Sequence, residues 1–159
     1  MLGMDFEDFE DVLAAVKALN GQQVEVTLTC EASTGPFKRQ FRRNANHLKR
    51  VLDERSPVPP GEAEAAARAN LAVERLIHAL DGGTITMRGV QEVELEEPGY
   101  IELVLRADDG SPRGEYDVND TDYQSAHWTT DWTAETADTR TLVIQTEHTG
   151  RIEITPQPR

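Results

Sequence analysis

Apolar positions recur along this chain in two rhythms. Phe6, Phe9, Leu13 and Val16 recur at three- and four-residue steps, the stripe of an amphipathic helix, which predicts a helix over 5–19. Asp5 is its expected N-cap, Glu7, Asp8, Glu10 and Asp11 suit the positive end of the helix dipole, and Asn20-Gly21 supplies the stop. The rhythm then shortens to two: Val24, Val26, Leu28 and Cys30 alternate with Glu25, Thr27, Thr29 and Glu31, as in a strand with one buried face. Thr34-Gly35-Pro36 predicts a turn, and 37–43 a returning strand whose apolar residues are Phe37 and Phe41. A short helix is expected from near Asn44, with Leu48, Val51 and Leu52 inward and the basic side chains outward.

Ser56-Pro57-Val58-Pro59-Pro60-Gly61 is a stiff linker that neither a helix nor a central strand accommodates. Residues 62–80 carry the strongest helical pattern, with Ala66, Ala69, Val73, Leu76, Ile77 and Leu80 on one side and Gly82-Gly83 at the end. From Thr84 the chain reads as strands, interrupted by Pro98-Gly99, Asp108-Asp109-Gly110-Ser111 and Glu147-His148-Thr149-Gly150. Apolar alternation at Ile85 and Met87, Val93 and Leu95, and Ile101, Leu103 and Leu105 is followed by strands expected near 123–132, 140–146 and 151–155. The predicted fold is α+β, an antiparallel sheet or barrel of about six to eight strands with an N-terminal helix and one long inserted helix. One domain over 1–159 fits, with a sub-division into 1–56, a linker and helix at 57–83, and an antiparallel meander at 84–159.

Charge changes the picture more than composition does. The 159 residues include 29 acidic and 16 basic side chains, a formal charge of −13, and 13 of the 16 cations are arginine. An acidic, lysine-poor surface suits concentrated salt, where the Debye length falls to about 3 Å and self-repulsion fades, so a halophilic character is expected. The charge is also uneven. Residues 38–55 hold Lys38, Arg39, Arg42, Arg43, Lys49, Arg50 and Arg55 against Asp53 and Glu54, for +5, which leaves −18 on the rest. Such a segment binds either phosphate groups of nucleic acid or carboxylates, its own or a neighbouring subunit's. Phe37 and Phe41 are the only rings there to stack on bases.

Leu19-Asn20-Gly21-Gln22-Gln23-Val24-Glu25-Val26-Thr27-Leu28, following the N-terminal helix, resembles the first motif of Sm-like RNA-binding proteins. Met87-Arg88-Gly89-Val90 is similar to their second motif, and Asn46-His47-Leu48 stands near the place of that family's loop asparagine. The resemblance implies RNA as a ligand, with Arg88-Gly89 in a uridine pocket. It departs from the family in lacking the Asp-Gly turn after the first strand and in the helix at 62–80, and the C-terminal part of the chain has no counterpart.

Other chemistry is sparse. Asp117-Val118-Asn119-Asp120-Thr121-Asp122 alternates oxygen donors as a calcium loop does, but the glycine and glutamate such a loop needs are replaced by Asp122 and Trp128, which favours a solvated acidic loop. None of His47, His78, His127 and His148 has the helical partner of a zinc site; convergence of His127, Asp131, Glu147 and His148 would need their strands to pair. Cys30 reads as a small core residue. Trp128 and Trp132, set four apart in a threonine-rich stretch, share one strand face and serve as core or as interface anchors. No nucleophile elbow, phosphate loop or dinucleotide fingerprint occurs, no cofactor is expected, and no run of apolar residues suits a membrane span. The early acids leave no signal-peptide pattern, so a cytoplasmic location is expected. The expected function is a non-catalytic binding or assembly module that self-associates or joins a larger complex. RNA binding through 38–55 and an enzyme or metal protein built on His127 and His148 are its alternatives.

Overall fold

A computed structural model describes residues 4–5, 8–31, 38–54, 59–131, 139–147 and 150–157. Among them are β1 (Met4–Asp5), α1 (Phe9–Lys17), β2 (Gln23–Cys30), α2 (Lys38–Glu54), α3 (Ala63–Asp81), β3 (Gly83–Glu97), β4 (Tyr100–Arg106), β5 (Pro112–Asn119), β6 (Tyr123–Asp131), β7 (Thr139–Thr146) and β8 (Arg151–Pro156). The class is α+β, with every ladder antiparallel and one sheet ordered β1-β6-β7-β8-β2-β3-β4-β5.

That order forces curvature. β5 and β6 stand six strand spacings apart, roughly 29 Å in a flat sheet, yet only residues 120–122 join them, a link reaching about 14 Å. The sheet therefore curls until β2 to β8 follow one another around a circle, with β8 closing on β2 and a seam where β5 and β6 form no ladder among the described residues. β2 sits between β8 and β3, so the N- and C-terminal parts of the chain share this sheet.

The inner face is one apolar core. Val24, Val26, Leu28, Ile101, Leu103, Leu105, Tyr116, Leu142, Ile144, Ile152 and Ile154 meet Val12, Leu13, Val16 and Leu19 of the α1 region. Phe9 of α1 tilts against Tyr123 of β6, ring centroids 5.1 Å apart. The other end of α1 is held by Gln91, a fully buried amide. Its Nε2 donates to Val16 O at 2.8 Å, a carbonyl at the helix end that also accepts from Leu19 N, while its Oε1 accepts from the Tyr116 hydroxyl. Gly114 leaves the inner face open for Met87, whose Sδ would lie 2.6 Å from an added Cβ.

Several expectations need correction. Met4 and Asp5 extend as β1 against Trp128 and His127, and the cap of α1 is Asp8, not Asp5. Phe37 lies outside the described residues; from Lys38 onward the strand expected at 37–43 and the helix expected from Asn44 are a single helix, α2, of 17 residues. Its first turns are rich in Lys, Arg and Gln, good helix formers with no period-two apolar pattern, and neither Gly nor Pro interrupts them. Leu48 and Val51 do not face inward; they are 47% and 39% exposed, and Ala45 with Leu52 takes the covered side. β5 has no apolar alternation that predicts it, because its inner residues Gly114, Tyr116 and Val118 alternate with charges. Only residues 120–122 of the supposed oxygen-donor loop form a turn, with Thr121 bonded to Asn119 Oδ1. The segments around Ile85 and Leu95 belong to one strand, β3, which pairs with β2 by its first half and β4 by its second, with a register shift between Val93 and Leu95.

Candidate functional site

Two regions carry charge chemistry, one stacked on the other. The first lies on the outer face of the sheet. Glu102 alternates with Ile101 and Leu103, and Glu115 and Asp117 flank Tyr116, so these carboxylates point away from the apolar core. α3 covers them, lying against β5 and touching β3. Arg68 donates from Nη1 to Glu94 at 2.7 Å and from Nη2 to Glu102 at 2.9 Å, and its Nε lies 3.8 Å from Glu115. Arg75 stands 3.4 Å from Asp117. Arg106 bridges Glu64 of α3 and Glu92 of β3 at 2.6 and 2.7 Å, and the Tyr100 hydroxyl donates to Glu102 at 3.1 Å.

Glu115 is the deepest carboxylate of this layer, 7% exposed. Burial, followed by the hydrogen bond and charge of Glu102, pushes its carboxyl up to about 7, against the pull of Arg68 and Arg75. Burial also raises the Tyr100 phenol, with help from Asp117 and Glu102. Among the described residues, three buried nitrogens, Arg68 Nε, Arg75 Nη1 and His78 Nε2, have no hydrogen-bond partner. This is an ion-pair layer that fastens a helix to a sheet. The sequence signal for this layer is the spacing of arginines seven apart on α3, which face alternate acids on β4 and β5.

The second region is α2, carried on α3. Arg42 grips Asp81 through both guanidinium ends, Nη1 at 3.2 Å. Arg43, Lys49 and Arg50 are exposed and have no ion pair among the described residues. Lys38 and Arg39 lie in the first turn of α2, while Arg55 falls outside the described residues. At 100° per residue, Leu48 and Val51 share a side with Asn44 and His47, and Arg43 and Arg50 align one behind the other on the adjoining side. An exposed apolar pair is thus bordered by unpaired cations.

The remaining candidates are dispersed. His127 pairs in register with Val143, whereas Asp131 and Glu147 sit at opposite ends of the β6–β7 ladder, roughly 25 Å apart. The imagined four-residue site does not converge; His148 lies outside the described residues, and no metal-holding group occurs among the described ones. Trp128 is half-buried against the core, and Trp132 falls outside the described residues. Arg88, the arginine of the Sm-like resemblance, donates to Glu25 on the neighbouring strand at 2.6 Å. Cys30 is buried, and burial raises its thiol. Among the described residues no helix is long and apolar enough to cross a membrane. No family model, curated protein or solved structure matches the chain.

Proposed function

We propose that this protein is a non-catalytic assembly module that self-associates through α2. The observation that carries the reading is the composition of the helix surface: Leu48 and Val51 stand open to solvent beside two cations, Arg43 and Arg50, that no carboxylate of the described residues engages. Large apolar side chains on a basic helix gain by covering one another and by meeting carboxylates, and this chain supplies carboxylates in excess. The acidic remainder, with its scarcity of lysine, further supports a protein adapted to concentrated salt.

Sedimentation at micromolar concentration tests the reading. The wild-type chain is expected to sediment as an oligomer, and Leu48→Glu with Val51→Glu to sediment as a folded monomer, its fold verified by circular dichroism. A monomeric wild type at every salt concentration, or an oligomer indifferent to the double substitution, overturns it. Retention of single-stranded RNA that Arg43→Glu with Arg50→Glu abolishes would replace it with nucleic-acid binding.

A further inference from the structure

Resting on that reading of α2, we infer that the surface α2 occupies on a second copy of this chain is the acidic ridge at the far end of β3, around Leu95 and Glu97. Only three large hydrophobic residues are exposed among the described residues, Leu48, Val51 and Leu95. Two lie on the positive pole of the molecule; the third lies in the sequence Glu92-Val93-Glu94-Leu95-Glu96-Glu97. The register settles which way Leu95 faces. It pairs with Glu102, whose carboxylate is held by Arg68 of α3, and directly paired residues project to the same side of a sheet. Glu97 pairs with Tyr100, two residues from Glu102, and shares that side.

The ridge keeps its negative charge after its internal pairs are counted. Lys17 engages Glu96, Arg68 is divided among Glu94, Glu102 and Glu115, and Arg106 among Glu64, Glu92 and Glu94, so two guanidinium groups serve five carboxylates. Glu97 is exposed and has no ion pair among the described residues. An apolar residue bordered by surplus carboxylate is the chemical complement of an apolar pair bordered by surplus cation. α2 rides on α3, and α3 covers the same side of the sheet from which Leu95 projects. One two-fold axis therefore lets each subunit give its helix and receive its partner's, two copies of the contact in one dimer.

Charge reversal in both directions tests this, read as the dimer dissociation constant by analytical ultracentrifugation. Leu95→Glu is expected to weaken association by about tenfold or more, as a buried apolar anchor does. Glu97→Arg and Arg50→Glu are each expected to weaken it, and the two together to recover at least about half of the combined loss in free energy, because the exchanged charges attract again. Circular dichroism and thermal melting show whether each variant is folded; if Leu95→Glu fails to fold, Leu95→Ser takes its place. Association that depends on Leu48 and Val51 yet ignores Leu95 and Glu97 overturns the ridge assignment and leaves the α2 reading standing. A monomeric wild type overturns both.

Discussion

The inner and outer faces of the curled sheet are held by different physics. Inside, side chains from α1 and from β2 through β8 form one apolar cluster whose main polar exception, the Gln91 amide, has both ends satisfied by Val16 and Tyr116. Outside, under α3, three carboxylates converge on one guanidinium, and buried nitrogens have no hydrogen-bond partner among the described residues. Apolar burial carries no charge for a proton to change or for counterions to screen, whereas an ion-pair layer responds to both. The barrel is thus the fixed part of the molecule, and the α2–α3 pair is attached to it by contacts that solution conditions tune.

The widest gap between the two faces is expected on cavity formation. Leu103 is fully buried in the inner cluster, so Leu103→Ala should cost about 2–5 kcal/mol. That loss should be the same at pH 5.5 and pH 8 (about a unit or more either side of neutrality), as read by the midpoint of denaturant unfolding at unchanged slope. A loss that varies strongly with pH would mean that the two faces are not separable.

Glu115 offers the sharper test of the outer face. Its folded carboxyl titrates at about 7 against an ordinary value of 4.5, so between these values the folded state holds more protons than the unfolded one. The contribution is fully present below the ordinary value and is lost as pH rises through about 7. α3 should therefore hold the sheet more tightly at pH 5.5 than at pH 8, by about 1–2 kcal/mol. Amide exchange along α3, compared with amides of β2 and β7 and corrected for intrinsic pH dependence, reads the difference. Glu115→Gln keeps the volume and removes the titration; it should raise protection of α3 at pH 8 and flatten the profile. A profile unchanged by Glu115→Gln would show that this carboxyl is not what couples the layer to pH.

What could be read from the sequence follows the same division. Clean alternation, as in Val24 to Cys30 or Ile101 to Leu105, announces a strand because one face meets oil and the other water. The helix at 62–80 was legible for the same reason, and Gly82-Gly83 did end it. The errors fall where charged residues are structural. β5 hid because Glu115 and Asp117, partly or wholly covered by α3, resemble solvated residues in a one-dimensional reading. The positive segment was legible as charge but not as shape. Its continuous helix follows from propensity, whereas the exposure of Leu48 and Val51 follows from α2 resting on α3 and not on the sheet. Of the four cations of that segment whose side chains are described, Arg42 alone meets a carboxylate among the described residues, Asp81, and that contact depends on how two helices lie together.

The smallest expected effect separates covered charge from charge in water. Lys17, at the end of α1, reaches Glu96 of β3 at 2.8 Å, and both side chains are more than two-fifths exposed. It ties together nearly the same two elements as Gln91, which links Val16 to β3 from within the core. Geometry alone ranks the two links as equals, each a single bond of 2.8 Å. Solvation does not: water screens the ammonium and competes for the carboxylate, and holding two long side chains together costs rotamer entropy. Lys17→Met should therefore change stability by less than about 0.5 kcal/mol, and that small loss should vanish in molar salt. A loss near that expected for a buried bond, persisting in molar salt, would place this pair with the core and move the boundary between the two regimes outward to the end of α1.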